Sequence, residues 1–95
     1  MTFTEQIKQL REQLQLPQRK VAEALDIDSA TYCKIERGER KAKREQLVVI
    51  AELLKTNEKE LLTLWLADQV TKLVANEKEI SNDILKIVKE NTQTK

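Results

Sequence analysis

The stretch QRKVAEALDIDSATYCKIER, residues 18–37, decides how the rest of the chain is read. Val21, Ala22 and Leu25 recur at helical spacing and give one short helix an apolar face. Asp26-Ile27-Asp28 then breaks the pattern. Aspartate tolerates a left-handed backbone better than most residues, and Asp28 is a good helix N-cap. A second short helix follows, from about Ser29 to Arg37, with Tyr32 and Ile35 three apart and facing inward. Gly38, the only glycine of the chain, stands where that helix must end in a positive φ.

The pattern extends in both directions. Upstream, Phe3, Ile7, Leu10 and Leu14 predict an amphipathic helix, opened by a capping box of Thr2 and Glu5. Pro17 marks a turn and the first turn of the next helix, where its missing N–H costs nothing. Downstream, Leu47, Ile50, Ala51 and Leu54 predict a fourth helix. Asn57 with Glu60 reads as a capping box that opens a strongly apolar fifth, carrying Leu61, Leu62, Leu64, Trp65, Leu66, Val70, Leu73 and Val74. Asn76 interrupts it. Ile80, Ile84, Ile87 and Val88 predict a sixth helix, and the polar tail from Asn91 is expected to fray. The fold class is all-α, without internal repeat or low-complexity linker.

Composition narrows the function. At 95 residues the default is one domain with a small core, which oligomerisation would help to stabilise. One Pro and one Gly leave little turn chemistry for an all-β fold. No apolar run approaches membrane-spanning length and no signal-peptide pattern opens the chain, so no membrane partner and a cytoplasmic location are the expectations. Cys33 is alone and there is no His, which argues against a disulfide, a zinc site and histidine-based catalysis. No phosphate-binding glycine loop is present. The expectation is a non-enzyme without metal, cofactor or small-molecule ligand. Three aromatic residues are too few for single-strand or RNA binding by stacking.

The net charge of +1 hides an uneven distribution. Lys34 to Arg44 holds six basic residues against Glu36 and Glu39, whereas residues 57–95 hold six basic against seven acidic. A local basic patch on a balanced chain suggests an anionic partner.

Residues 18–37, with KIERGER at 34–40 and TNEKELL at 56–62, resemble the helix-turn-helix unit of the Cro and cI-like (XRE) DNA-binding family. The resemblance covers roughly residues 2–62 and implies a lambda-repressor-like five-helix DNA-binding domain, here with an additional C-terminal helix. Two departures stand out: Asp26 where the family usually has Gly, and Pro17 where it has Ser or Asn. The resemblance implies that the third helix enters the major groove, with Ser29, Ala30 and Lys34 meeting base edges. Thr31 and Arg37 would flank it on phosphates. Arg40, Lys41, Lys43 and Arg44 would follow the adjacent backbone, Arg44 near the minor groove. Gln18 would bring the amide end of the second helix to a phosphate, assisted by Arg19. Arg11 and Glu36 would form a structural pair between the first and third helices, and Cys33 would be a reduced thiol near the DNA face.

On this reading residues 1–66 are the DNA-binding domain and 67–95 a helical dimerisation extension in the same globule. Leu62, Trp65, Leu66, Val70, Leu73, Val74, Ile80, Ile84 and Val88 could cover the DNA-binding core or form the seam of a homodimer; the seam is the expectation, because one such unit reads too few base pairs and two units read two half-sites. The expected function is a homodimeric transcription regulator that binds double-stranded DNA at a palindromic operator, similar in size to restriction–modification controller proteins and small repressors. The alternative is an antitoxin-like interaction module with autoregulatory DNA binding.

Overall fold

Helix ends explain how a chain with one glycine turns so often. The computed structural model describes residues 1–93; among them are six α-helices and no strand. These are α1 (Phe3–Gln13), α2 (Gln18–Leu25), α3 (Ser29–Glu36), α4 (Arg44–Leu53), α5 (Glu58–Val74) and α6 (Ser81–Gln93). Each of the first four ends in a residue at positive φ: Gln15 at 57°, Asp26 at 57°, Gly38 at 79° and Lys55 at 56°. Each end closes with the same pair of backbone bonds. After α3, Gly38 N donates to Ile35 O (3.1 Å) and Glu39 N to Lys34 O (2.9 Å). After α1, Gln15 N and Leu16 N reach Glu12 O and Arg11 O; after α2, Asp26 N and Ile27 N reach Glu23 O and Ala22 O. After α4, Lys55 N and Thr56 N reach Glu52 O and Ala51 O. This is the Schellman closure, which satisfies carbonyls the helix leaves open.

Starts are set by side chains. Thr2 Oγ1 accepts from Glu5 N while Glu5 accepts from Thr2 N, the expected capping box. Asp28 accepts from Thr31 N at 2.7 Å and Asn57 from Glu60 N at 3.2 Å. Only this half of the box forms at Asn57. At α4 the N-cap is Lys43, whose side chain has no acceptor, so the tie is Lys43 N donating to Gln46 Oε1 at 2.8 Å.

Phe3, Ile7, Val21, Ala22, Tyr32, Ile35, Ala42, Leu47, Ile50, Ala51, Leu54 and Leu61 form one buried cluster. Each large member contributes about 1.5–3 kcal/mol on leaving water. Within it α2 packs on α3 and α4, α4 on α5, and α1 on α3 and α5. Ala22 is buried. Leu14, expected on the inner face of α1, is its C-cap and is exposed.

The C-terminal part differs from this. Position 66, the expected domain boundary, lies inside the continuous α5, and Asp68 Oδ2 still accepts from Phe3 N at 3.0 Å. The break expected at Asn76 occurs between Val74 and Ser81. From there α6 runs to Gln93, past the expected fraying at Asn91, and buries no residue. Residues 94 and 95 of the expected extension lie outside the described residues. No described helix is long and apolar enough to cross a membrane.

Candidate nucleic-acid interface

The α2–turn–α3 unit is held by a carboxylate. Glu36, at the end of α3, is buried, and Arg11 from α1 grips it with two bonds: Nε to Oε2 at 2.6 Å and Nη2 to Oε1 at 3.1 Å. Arg11 Nη1 also donates to Leu16 O at 2.8 Å. Gln18, at the start of α2, donates through Nε2 to Glu36 Oε1 at 3.1 Å and accepts from Cys33 Sγ at 2.9 Å. One carboxylate therefore fixes α1, α2 and α3 against one another. Burial alone would push the Glu36 carboxyl up, but Arg11, the neighbouring Tyr32 hydroxyl and Gln18 outweigh it and hold it below its usual range. The Arg11 guanidinium is held up in turn by its hydrogen bond to Glu36. Among the described residues the buried Tyr32 hydroxyl closes no hydrogen bond of full geometry. Burial, then the adjacent Glu36, raises its pKa.

With its inner face so fixed, α3 turns a different set outward. Ser29, Ala30 and Lys34 are exposed and Thr31 is half-buried. The Asp28 carboxyl that caps this helix is held low by its side-chain and backbone bonds to Thr31, with Lys34 and Arg40 adding to the effect. A small-residue start followed by a lysine one turn later suits a helix that must approach a base edge closely.

The flanking residues fall into two groups. Arg19 and Arg37 are exposed but engaged: Arg19 lies 3.8 Å from Glu23, and Arg37 Nε 2.8 Å from Glu39 Oε2. Such exposed pairs are weak and exchange readily for another anion. Lys34, Arg40, Lys43 and Arg44 make no ion pair among the described residues, and all four are exposed. Arg44 is the first residue of α4 and Lys43 its N-cap. Gln18 is the first residue of α2, as expected. Its amide side chain is committed to Glu36 and Cys33, so what it leaves open to an anion is its backbone N–H, at a helix start with no side-chain cap. Lys41 is also committed, to Trp65 and Gln69 of α5. Neither partnership carried a sequence signal, since both join positions far apart in the chain. Cys33 is half-buried beside Gln18.

The residues expected at a seam between copies divide as well. Leu62 and Trp65 are half-buried against the core of their own chain, and Trp65 Nε1 donates to Ala42 O at 2.9 Å. Val74 and Ile84 are half-buried. Leu66, Val70, Leu73, Ile80 and Val88 are exposed, Leu73 at 80%. Ile87, expected on the apolar face of the sixth helix but not at the seam, and Leu85, not singled out by the sequence, share that exposure.

The profile of the helix-turn-helix domain family matches residues 4–65, well over half of the chain. Neither the search of curated proteins nor that of solved structures gave a match. The matched segment spans α1 to the middle of α5 and contains the whole Arg11–Glu36–Gln18 arrangement. The chain belongs to the helix-turn-helix domain family of DNA-binding proteins, in its Cro/cI-like form.

Proposed function

We propose that this protein is a sequence-specific regulator of transcription that binds duplex DNA as a homodimer on a palindromic operator. The observation that carries the reading is the contrast across α3: Glu36 is locked from behind by Arg11 and Gln18, while Ser29, Ala30 and Lys34 stand exposed without an ion pair. A helix held this firmly loses little further freedom on binding. Lys34 reaches guanine O6 and N7, Ala30 meets a thymine methyl, and Ser29 serves either a donor or an acceptor. Thr31, Arg37, Arg40, Lys43, Arg44 and the α2 start with Arg19 follow the phosphates.

A homodimer is supported by the exposed apolar stripe of α5 and α6, where a second copy would supply the cover that this chain lacks. Two units related by a two-fold axis would read half-sites about 10 base pairs apart. The small size and single binding unit suit a compact repressor or a restriction–modification controller. Selection from a random pool of duplexes tests the reading. The expected product is an inverted repeat whose consensus changes at one position per half-site in Lys34→Ala, at a cost of about 1–3 kcal/mol. Enriched duplexes with no common motif would overturn it.

A further inference from the structure

The loop between α3 and α4 is strapped to α5. Trp65 Nε1 donates to Ala42 O at 2.9 Å, and the Ala42 side chain is buried. The face of the indole so fixed carries the Lys41 ammonium 5.3 Å from the ring centroid. The same ammonium donates to Gln69 Oε1 at 3.1 Å. Gln69 is oriented in turn, because its Nε2 donates to Trp65 O at 3.3 Å. A cation over tryptophan is the strongest of the cation–π pairings, and a pre-oriented amide oxygen beside it adds a directed acceptor. Arg40, Lys43 and Arg44, in and just after the same loop, have no ion pair among the described residues. Lys41 thus differs in kind from its basic neighbours.

We propose that Lys41 is a positioning residue: with Trp65 and Gln69 it straps the loop to α5 and so sets where Lys43 and Arg44 meet the DNA backbone, without itself neutralising a phosphate. The proposal rests on the DNA-binding reading above. Electrostatic contacts and positioning contacts are separable by salt. Each phosphate neutralised releases counterions and adds about 0.9 to the slope of log affinity against log salt, whereas a strap changes affinity equally at every salt concentration.

The experiment is a duplex titration of the full chain between about 50 and 200 mM salt, for wild type, Lys43→Ala, Lys41→Ala, Gln69→Ala and the double variant Lys41→Ala/Gln69→Ala. Lys43→Ala is expected to flatten the slope by about 0.9 for each phosphate it ceases to neutralise. Lys41→Ala and Gln69→Ala are expected to keep the wild-type slope and to lose about three- to tenfold in affinity throughout, the cost of ordering one or two side chains on binding. The double variant should be no worse than either single one, because both break the same strap. Trp65, the sole tryptophan, reports locally: its emission should change in both single variants and stay as wild type in Lys43→Ala. A slope that flattens in Lys41→Ala as in Lys43→Ala, with Gln69→Ala neutral, would make Lys41 an ordinary phosphate contact and end the proposal. So would a Lys41→Ala protein with wild-type affinity. A wild-type protein that binds no duplex would overturn the DNA reading itself, and this inference with it.

Discussion

The apolar residues of the first 61 positions close on one another; those between Leu66 and Val88 do not. Among the described residues every buried core residue, from Phe3 to Leu61, lies in the first region, and α6 buries none. Both regions have helical periodicity, and α6 is clearly amphipathic. The difference is what the apolar face meets. In the first region four Schellman turns reverse the chain so that α1 to α5 face one another. In the second, α5 runs on past its own core contacts. An apolar stripe that its own fold leaves uncovered is where the proposed second copy would dock.

The largest expected effect comes from placing the same charge in each region, beginning with the covered one. Leu61 is fully buried, so Leu61→Glu brings an unpaired carboxylate into the core. The cost is at least several kcal/mol, comparable to the whole stability of a small domain. Circular dichroism should show a protein largely unfolded at room temperature. A folded Leu61→Glu protein would mean that the core does not depend on α5.

Arg11→Ala comes next. Glu36 would remain buried without its cation, at a cost of about 3–5 kcal/mol. The effect depends on pH. The Glu36 carboxyl lies below its usual range in the fold, so its contribution is present above the unfolded pKa and is lost as pH falls through the folded one. In Arg11→Ala that carboxyl keeps only Tyr32 and Gln18 against its burial, its pKa rises, and acid relieves the variant. Denaturant melts of both proteins should show a stability gap that narrows on acidification from neutral pH toward the carboxylate range. A gap independent of pH would mean that Arg11 acts by packing alone.

The core region was largely legible in the sequence, for local reasons. Thr2, Asp28 and Asn57 announce helix starts because a side-chain cap acts over three residues. Gly38 announces a helix end because glycine is the easy residue there. Gln15 and Lys55 take the same left-handed conformation without any such mark, their strain offset by the backbone bonds that close each turn. The pairing of Arg11 with Glu36 follows from family resemblance. The Gln18–Glu36, Trp65–Ala42 and Lys41–Gln69 bonds span 18, 23 and 28 positions, and nothing local encodes them. Periodicity likewise shows that α5 and α6 have an apolar face, but not that Trp65 turns inward while Leu73 turns out.

Asp26 is a smaller test of how the core region holds its turn. Its φ of 57° is one that aspartate adopts at some cost and glycine freely. Asp26→Gly relieves that strain but also loosens the unfolded chain. A net gain of about 0.5 kcal/mol is expected, visible as a higher denaturant midpoint with unchanged slope. A loss would mean that the Asp26 side chain contributes more than its backbone costs.

Leu73→Glu should have the smallest effect on folding and is the sharpest test of the second region. It makes the same kind of change as Leu61→Glu, but at a side chain 80% exposed in the single chain. A new carboxylate there stays in water, so the stability of the isolated chain should move by less than about 0.5 kcal/mol. Association should respond differently. If two copies bury this stripe against each other, each subunit would place its new charge in an apolar seam, and the cost is comparable to a modest dimerisation energy. Sedimentation at micromolar concentration should then show a dimer for wild type and a folded monomer for Leu73→Glu. Operator binding by the variant should weaken and lose cooperativity, since each unit holds only one half-site. An unfolded variant would place Leu73 in the core of its own chain, contrary to its exposure. A variant that remains dimeric would move the seam away from α5 and leave the stripe for a partner of another kind.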